Sequence, residues 1–347
     1  MISISDKGMP APCPSPFNMA AYVLSHAERL ADKCALEVLA KTDGQSFTYK
    51  ELSVATLRMG AALRAQGYQP GDRIIMRLGN TVSFPLVFLG AIAAGLIPVP
   101  LSSQLTVVEV GKIVLEIRPV AIIHSAFLDL PQTNVPVHDA QDLLEMRDIE
   151  PITPMMGDPN RLAYIVYTSG TSGKPRAVMH AHRVIWARRM MWQGWYDLCE
   201  DDRMLHAGAF NWTYTLGTGL MDPWTIGATA LITADGTPAS ELPDLIAKHD
   251  VTLFAAAPGV YRRLLNTDKT INAPKLRHGL SAGEKLSPRI ADRWEKQTGT
   301  LVHEAMGMSE CSTFLSGSPH QHAVKTSLGF AQPGRRIAVV GIKGDLQ

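Results

Sequence analysis

The chain has no long apolar run, almost no charge imbalance and few cysteines. Its 347 residues include 33 basic and 32 acidic side chains, a formal net charge of +1. With no basic surplus, neither nucleic acid nor an anionic membrane is expected as a main partner. Cys13, Cys34, Cys199 and Cys311 lack both the paired spacing of a zinc site and the density of a disulfide scaffold. A reducing, cytoplasmic setting is the natural expectation. The most apolar stretch, Phe84 to Pro100, is interrupted by Pro85, Gly90, Gly95 and Pro98. It is also shorter than the roughly 20 residues a membrane helix needs, so no membrane span is predicted. The N-terminus, with Pro10, Pro12, Pro14 and Pro16, has no apolar stretch of signal-peptide length. The histidines show no metal-ligand spacing, and His180, His182, His320 and His322 are expected to be solvated or satisfied. Asp201 and Asp202 read as a helix-end charge pair. Ser169 has no nucleophile-elbow pattern around it, which argues against hydrolase chemistry.

What is present is a 46% hydrophobic composition, enough for a large core and two or three domains. From about residue 17, helix-like and strand-like segments alternate. Tyr49 to Gln66, Thr81 to Ala94 and Thr106 to Ile117 read as helices. Arg73 to Leu78, Leu96 to Val99 and Val120 to Ile123 read as strands. Such alternation predicts an α/β fold with doubly wound, mostly parallel sheets covered by helices. The stretch from about 126 to 160 is richer in proline and acidic groups and reads as a connection between two subdomains. Beyond it come a helix from Arg183 to Gln193, a strand from Arg203 to His206, a helix around Gly217 to Trp224 and a strand from Thr229 to Thr233.

The segment Tyr164-Ile165-Val166-Tyr167-Thr168-Ser169-Gly170-Thr171-Ser172-Gly173-Lys174-Pro175 runs from a buried strand into a loop of small hydroxyl and glycine residues. Glycines let backbone N–H groups approach phosphate oxygens, hydroxyls add donors, and Lys174 adds a mobile positive charge. A Walker A loop needs Gly-x4-Gly-Lys-Ser/Thr. Here Gly170 and Gly173 are three apart and Pro175 follows the lysine, so this is a different kind of phosphate loop.

Thr168 to Lys174 closely resembles the phosphate-binding signature of the adenylate-forming superfamily: acyl-CoA synthetases, luciferases and peptide synthetase adenylation domains. Two further segments stand in the family's order, Ser281-Ala282-Gly283-Glu284 and Glu304-Ala305-Met306-Gly307-Met308-Ser309-Glu310. The resemblance implies that Ala282, Gly283, Glu284, Ala305, Met306, Gly307 and Met308 border the nucleotide. It further implies that Ser309 bonds the α-phosphate and that Glu310 holds Mg²⁺, with Lys174, Ser309 and Glu310 as the catalytic set. Met306 stands where the family usually has Tyr, and Ser309 where it usually has Thr. Serine keeps the hydroxyl, and a polarizable thioether still packs a base.

The segment from His206 to Gly217 occupies the place of the acid-binding motif, and the layout from Tyr214 to Gly217, like that of Ser281 to Glu284, looks most like benzoate–CoA ligases. Phe210, Trp212, Tyr214, Gly217, Ser281 and Gly307 are thereby implicated in holding the acid, and the aromatics suggest a small acid, a flat aromatic one included. The implied substrates are ATP with Mg²⁺, a carboxylic acid and CoA. Two rivals stay open: an aryl-acid adenylation domain that loads a carrier protein, and an inactive nucleotide-binding module. A homodimer is also open.

The expected organisation is a flexible stretch at 1–16, α/β subdomains at 17–160 and 161–325, and the start of a small β-barrel at 326–347. The family's later Thr-Gly-Asp motif and its C-terminal lid with a catalytic lysine have no counterpart in the 347 residues. On that ground the chain is expected to adenylate weakly and to form little thioester.

Overall fold

The computed structural model describes residues 4–39, 44–146, 148–168, 176–267, 269–324 and 327–341. Two open sheets carry the fold. The smaller is parallel throughout, in the order Ile97–Pro100, Arg73–Arg77, Ala121–His124, Val137–Asp139. The larger has nine strands. Its six central ones are parallel, in the order Val302–Met308, His278–Ala282, Leu253–Ala256, Arg203–His206, Thr229–Thr233, Cys34–Leu39. Antiparallel strands close its edges, Ser312–Ser316 and Phe330–Ala331 on one side and Gln45–Thr48 on the other. Ile97–Pro100, Thr229–Thr233 and Leu253–Ala256 are buried along their whole length, because helices cover both faces.

Local chemistry accounts for the helices. Tyr49–Ala65 begins at a capping box in which Thr48 and Glu51 satisfy each other's backbone N–H groups. Thr106 and Glu109 do the same for Val107–Ile117. Ser83–Ala93 is buried at every residue after Ser83. It meets Tyr49–Ala65 backbone to backbone, since a β-carbon at Gly60 would sit 2.7 Å from the Gly90 carbonyl oxygen.

Two expectations need correction. Cys34–Leu39 and Gln45–Thr48 belong to the larger sheet, so the sheets cut across the division at residue 160. Local alternation shows that Leu36 and Val38 are buried but does not reveal that their partners are Ala230 and Ile232. The stretch taken as a connection holds the strand Val137–Asp139 and the helix Ala140–Leu144. In the stretch expected to begin a barrel, Phe330–Ala331 extends the larger sheet and Arg336–Ala338 pairs with Ile4–Asp6. No closed barrel occurs among the described residues.

The sheets are tied together near their carboxyl ends. Asn80, just after the strand Arg73–Arg77, donates from Nδ2 to the carbonyls of Gly208 (2.8 Å) and Thr233 (3.0 Å). Its Oδ1 accepts from the Phe210 amide at 2.9 Å. One buried amide from the smaller sheet thus fixes the chain that leaves Arg203–His206. In open parallel sheets, this edge is where ligands gather.

Candidate active site

At that edge lies a cavity of about 430 Å³. Three segments separated by about seventy and twenty-five residues converge on it: Trp212 to Tyr214, Ala282 to Gly283, and Gly307 to Ser309. Trp212 and Gly283 meet directly. Gly283 has φ +99°, a conformation that disfavours side chains, and its missing β-carbon leaves room for the Trp212 indole. Thr213 Oγ1 lies 3.2 Å from Ser309 Oγ. Tyr214 stacks on Trp195 at 5.7 Å between centroids and donates its hydroxyl to the Leu280 carbonyl at 3.1 Å.

Gly307 marks a bulge where Val302–Met308 and Ser312–Ser316 shift register. A β-carbon there would press on the Ser312 backbone, so glycine lets the two strands close. The turn between them carries Ser309 and the exposed Glu310 and ends at Ser312, φ +58°.

Arg188 forms the polar wall. Its Nη2 lies 2.5 Å from Asp222 Oδ2, and its Nε donates to Oδ1 at 2.9 Å. Asp222 is fully buried and also accepts from Tyr196 Oη at 2.8 Å. Burial is the largest single influence and opposes the guanidinium charge, but Asp222 together with Tyr196 and Tyr164 outweighs it and holds the pKa above its ordinary value. Nη1 reaches Ser312 Oγ at 2.9 Å. Gly217 serves this arrangement, because a β-carbon there would collide with the guanidinium.

The local helices are irregular. After Arg183 only Val184–Ala187 is α-helical, followed by 3₁₀ Arg188–Met190 and π-helical Trp192–Tyr196. A second π-helical stretch, Thr215–Met221, precedes Asp222–Ile226. Both replace the regular helices expected from the sequence, and widened turns of this kind are frequent beside functional sites.

Of the residues singled out from the sequence, Trp212, Tyr214, Ala282, Gly283, Gly307, Met308 and Ser309 line the cavity. Phe210 does not; it stacks on Phe84 at 4.9 Å in the core. Ser281 is fully buried on the face opposite Ala282. Gly217 acts through Arg188. Ala305 is buried, while Met306, Glu284 and Glu310 are exposed at the surface. Thr168 ends the strand Leu162–Thr168, which pairs antiparallel with Arg176–Ala181 in the register Thr168 to Arg176. Ser169, Gly170, Thr171, Ser172, Gly173 and Lys174 lie outside the described residues.

Arg188, Trp195, Thr213, Thr218, Ser312 and Thr313 also line the cavity and were not anticipated. Thr213 stands between two residues already named, and Thr218 follows Tyr214 by one helical turn. Ser312 and Thr313 follow the Glu310 motif after one intervening residue, Cys311. Arg188 and Trp195 carry no local signal.

The histidine expectation holds for some side chains and fails for others. His182 is satisfied, its Nδ1 accepting from the Met19 amide at 3.0 Å. His180, by contrast, is buried and stacked on Tyr164 at 4.6 Å, with no partner for Nε2 among the described residues. Burial, aided by the Arg188 charge and opposed by Glu310, lowers its pKa to about 4. His206 is fully buried under the Tyr214 ring, both ring nitrogens without partners among the described residues, and burial pushes its pKa down to about 3. Asp202 is also not a surface charge: it is buried and accepts from Arg277 Nη2 at 2.7 Å.

Comparison with known proteins gives the family of the chain. The family model described as AMP-binding enzyme matches residues 24–347. The 4-hydroxybenzoate–CoA/benzoate–CoA ligase of Rhodopseudomonas palustris is 31% identical over 327 residues, which cover 86% of this chain and 59% of that protein. The benzoate–CoA ligase of Thauera aromatica is 28% identical over 335 residues, 88% of this chain and 63% of that protein. Among solved structures, a benzoate CoA ligase from Burkholderia xenovorans LB400 superposes with a TM-score of 0.83 at 26% identity, covering 95% of this chain and 69% of that one. The chain thus spans about three fifths of the length of the curated relatives it matches. With the family model matched across nearly all of it, and the motif segments meeting in one cavity, the chain belongs to the AMP-binding enzyme family.

Proposed function

We propose that this chain provides the ATP and acid sites of an AMP-forming acid–thiol ligase acting on a small aromatic carboxylic acid. The observation that carries the reading is the meeting of Trp212 to Tyr214, Ala282 to Gly283 and Gly307 to Ser309 around one cavity. Trp195, Trp212 and Tyr214 give it flat apolar walls suited to a planar acid. The curated relatives named above are CoA ligases, which supports CoA over a carrier protein as acceptor.

In the reaction proposed, the acid's carboxylate oxygen attacks the α-phosphorus of ATP and pyrophosphate leaves, giving acyl-AMP. The thiol of CoA then attacks the acyl carbon and AMP departs. The first step brings two anions together, so positioning and charge stabilisation carry it. Thr168, the hydroxyl and glycine loop 169–173 and Lys174 would cradle the β- and γ-phosphates. Ser309, held beside Thr213, would bond the α-phosphate. Gly283 and Gly307 would let backbone pass close to the nucleotide.

The described residues gather no group of three or more metal-binding side chains. One exposed carboxylate, Glu310, suits Mg²⁺ brought in on phosphate oxygens, because that ion keeps most of its waters. When bound, Mg²⁺ would neutralise phosphate charge, with Glu310 as its protein ligand.

The test is acid-dependent ATP–pyrophosphate exchange on this chain with Mg²⁺, over acetate, benzoates, amino acids and medium-chain fatty acids. Exchange led by benzoates supports the reading. Exchange led by fatty acids or amino acids overturns the assignment of the acid.

A further inference from the structure

The cavity is flat and aromatic on one side, but its other side is lined by hydroxyls and a guanidinium that a plain aryl ring would leave unused. Thr218, Ser312 and Thr313 all line it beside Arg188. From this we infer that the acid bears an uncharged hydrogen-bonding ring substituent, hydroxyl or amino, and that Arg188 and Ser312 select for it. The inference rests on the proposed adenylation of an aromatic acid and names its substituent.

The bonding of Arg188 carries the case. Nε and Nη2 are engaged by Asp222, with Tyr196 Oη at 3.1 Å and Thr218 Oγ1 at 3.3 Å also taking from Nη2. Nη1 has two hydrogens and makes one bond among the described residues, to Ser312 Oγ. The Ser312 hydroxyl accepts that bond, so its own hydrogen is left to donate elsewhere. Nη1 and Ser312 therefore offer one donor each, plus a spare acceptor lone pair on Ser312, at the cavity wall. Both backbone glycines that could crowd this wall are bare where it matters: Gly217 makes room for the guanidinium, and Gly307 lets the Ser312 strand close in.

Charge decides which substituent fits. Arg188 is already neutralised by a buried carboxylate, with side-chain exposures of 8% and 0%. A second carboxylate on the ring would surrender its hydration and meet no net positive charge, which costs more than hydrogen bonds return. An unsubstituted ring would bury the free Nη1 hydrogen and the Ser312 hydroxyl without partners, also a penalty. A neutral hydroxyl or amino group escapes both costs. Sites built to bond such a group discriminate strongly against analogues that lack it.

The experiment is calorimetric titration of this chain with sulfamoyl-adenosine analogues of benzoyl-, 2-, 3- and 4-hydroxybenzoyl- and carboxybenzoyl-AMP. At least one hydroxybenzoyl analogue is expected to bind about tenfold or more tighter than the benzoyl analogue, the value of one good hydrogen bond. The carboxybenzoyl analogue is expected to be weakest. Ser312→Ala, which leaves the buried ion pair intact, should bring the hydroxybenzoyl-to-benzoyl ratio close to one. The double variant Arg188→Met/Asp222→Leu, which removes both charges together, should do the same. Equal wild-type affinities, a tightest-binding carboxybenzoyl analogue, or a ratio unchanged in both variants overturns the inference and leaves the adenylation reading standing. Failure of every analogue to bind overturns both.

Discussion

The Trp212 indole lies against Gly283, with Cζ2 2.9 Å from where a β-carbon at 283 would stand. One contact thus joins the segment implicated in holding the acid to the segment implicated in bordering the nucleotide. Gly283→Ala combines that clash with a strained φ of +99°. The expected outcome is a loss of about 1–3 kcal/mol in stability, together with weaker binding of an acyl-adenylate analogue. Urea unfolding and calorimetry check the two effects separately.

Asp222→Ala leaves the Arg188 guanidinium buried without its carboxylate. Breaking such a pair from one side is expected to cost about 3–5 kcal/mol. Replacing both partners with apolar residues should cost much less. Denaturant unfolding of the single and double variants measures the difference, and equal losses would contradict the role given to the pair.

Acid should destabilise the fold through its buried histidines. Burial lowers His206 and His303 to about 3 and His180 and His278 to about 4, against about 6.5 in an unfolded chain. Above pH 6.5 these groups are neutral in both states and contribute nothing to pH dependence. Below it the unfolded chain takes up protons that the native fold refuses, so stability falls as pH drops from about 6.5 toward 4. Each group adds up to about 1.4 kcal/mol per pH unit across that window. Unfolding at pH 7.5 and pH 5 tests this, and His206→Met should shrink the difference by one group's share.

Glu310→Ala is expected to abolish the Mg²⁺ dependence of ATP binding while leaving the exposed turn folded. Titrations with and without Mg²⁺ decide it, and an unchanged metal dependence would remove Glu310 from the site. Lys174→Ala should weaken phosphate binding less, because the backbone donors of its loop remain.

The capped helices and buried strands were legible because their causes are local: Thr48 with Glu51, Thr106 with Glu109, apolar runs bounded by turns. The motif residues were legible because glycine, hydroxyl and carboxylate chemistry stands in a set order along the chain. What local pattern does not carry is partnership at long range. Nothing near Leu36 announces Ala230, and nothing near Arg188 announces Asp222 or Ser312. Gly217 was read as touching the acid, yet its missing side chain accommodates a guanidinium from another segment. Ser281 sits in a motif beside the cavity, but strand alternation turns it to the opposite face.

The most direct test of the account is calorimetric titration of this chain with the sulfamoyl-adenosine analogues of benzoyl-AMP and decanoyl-AMP. The account predicts one site per chain that binds the aromatic analogue more tightly, with affinity reduced by Gly283→Ala. No binding of either analogue, or tighter binding of the decanoyl analogue, would contradict it.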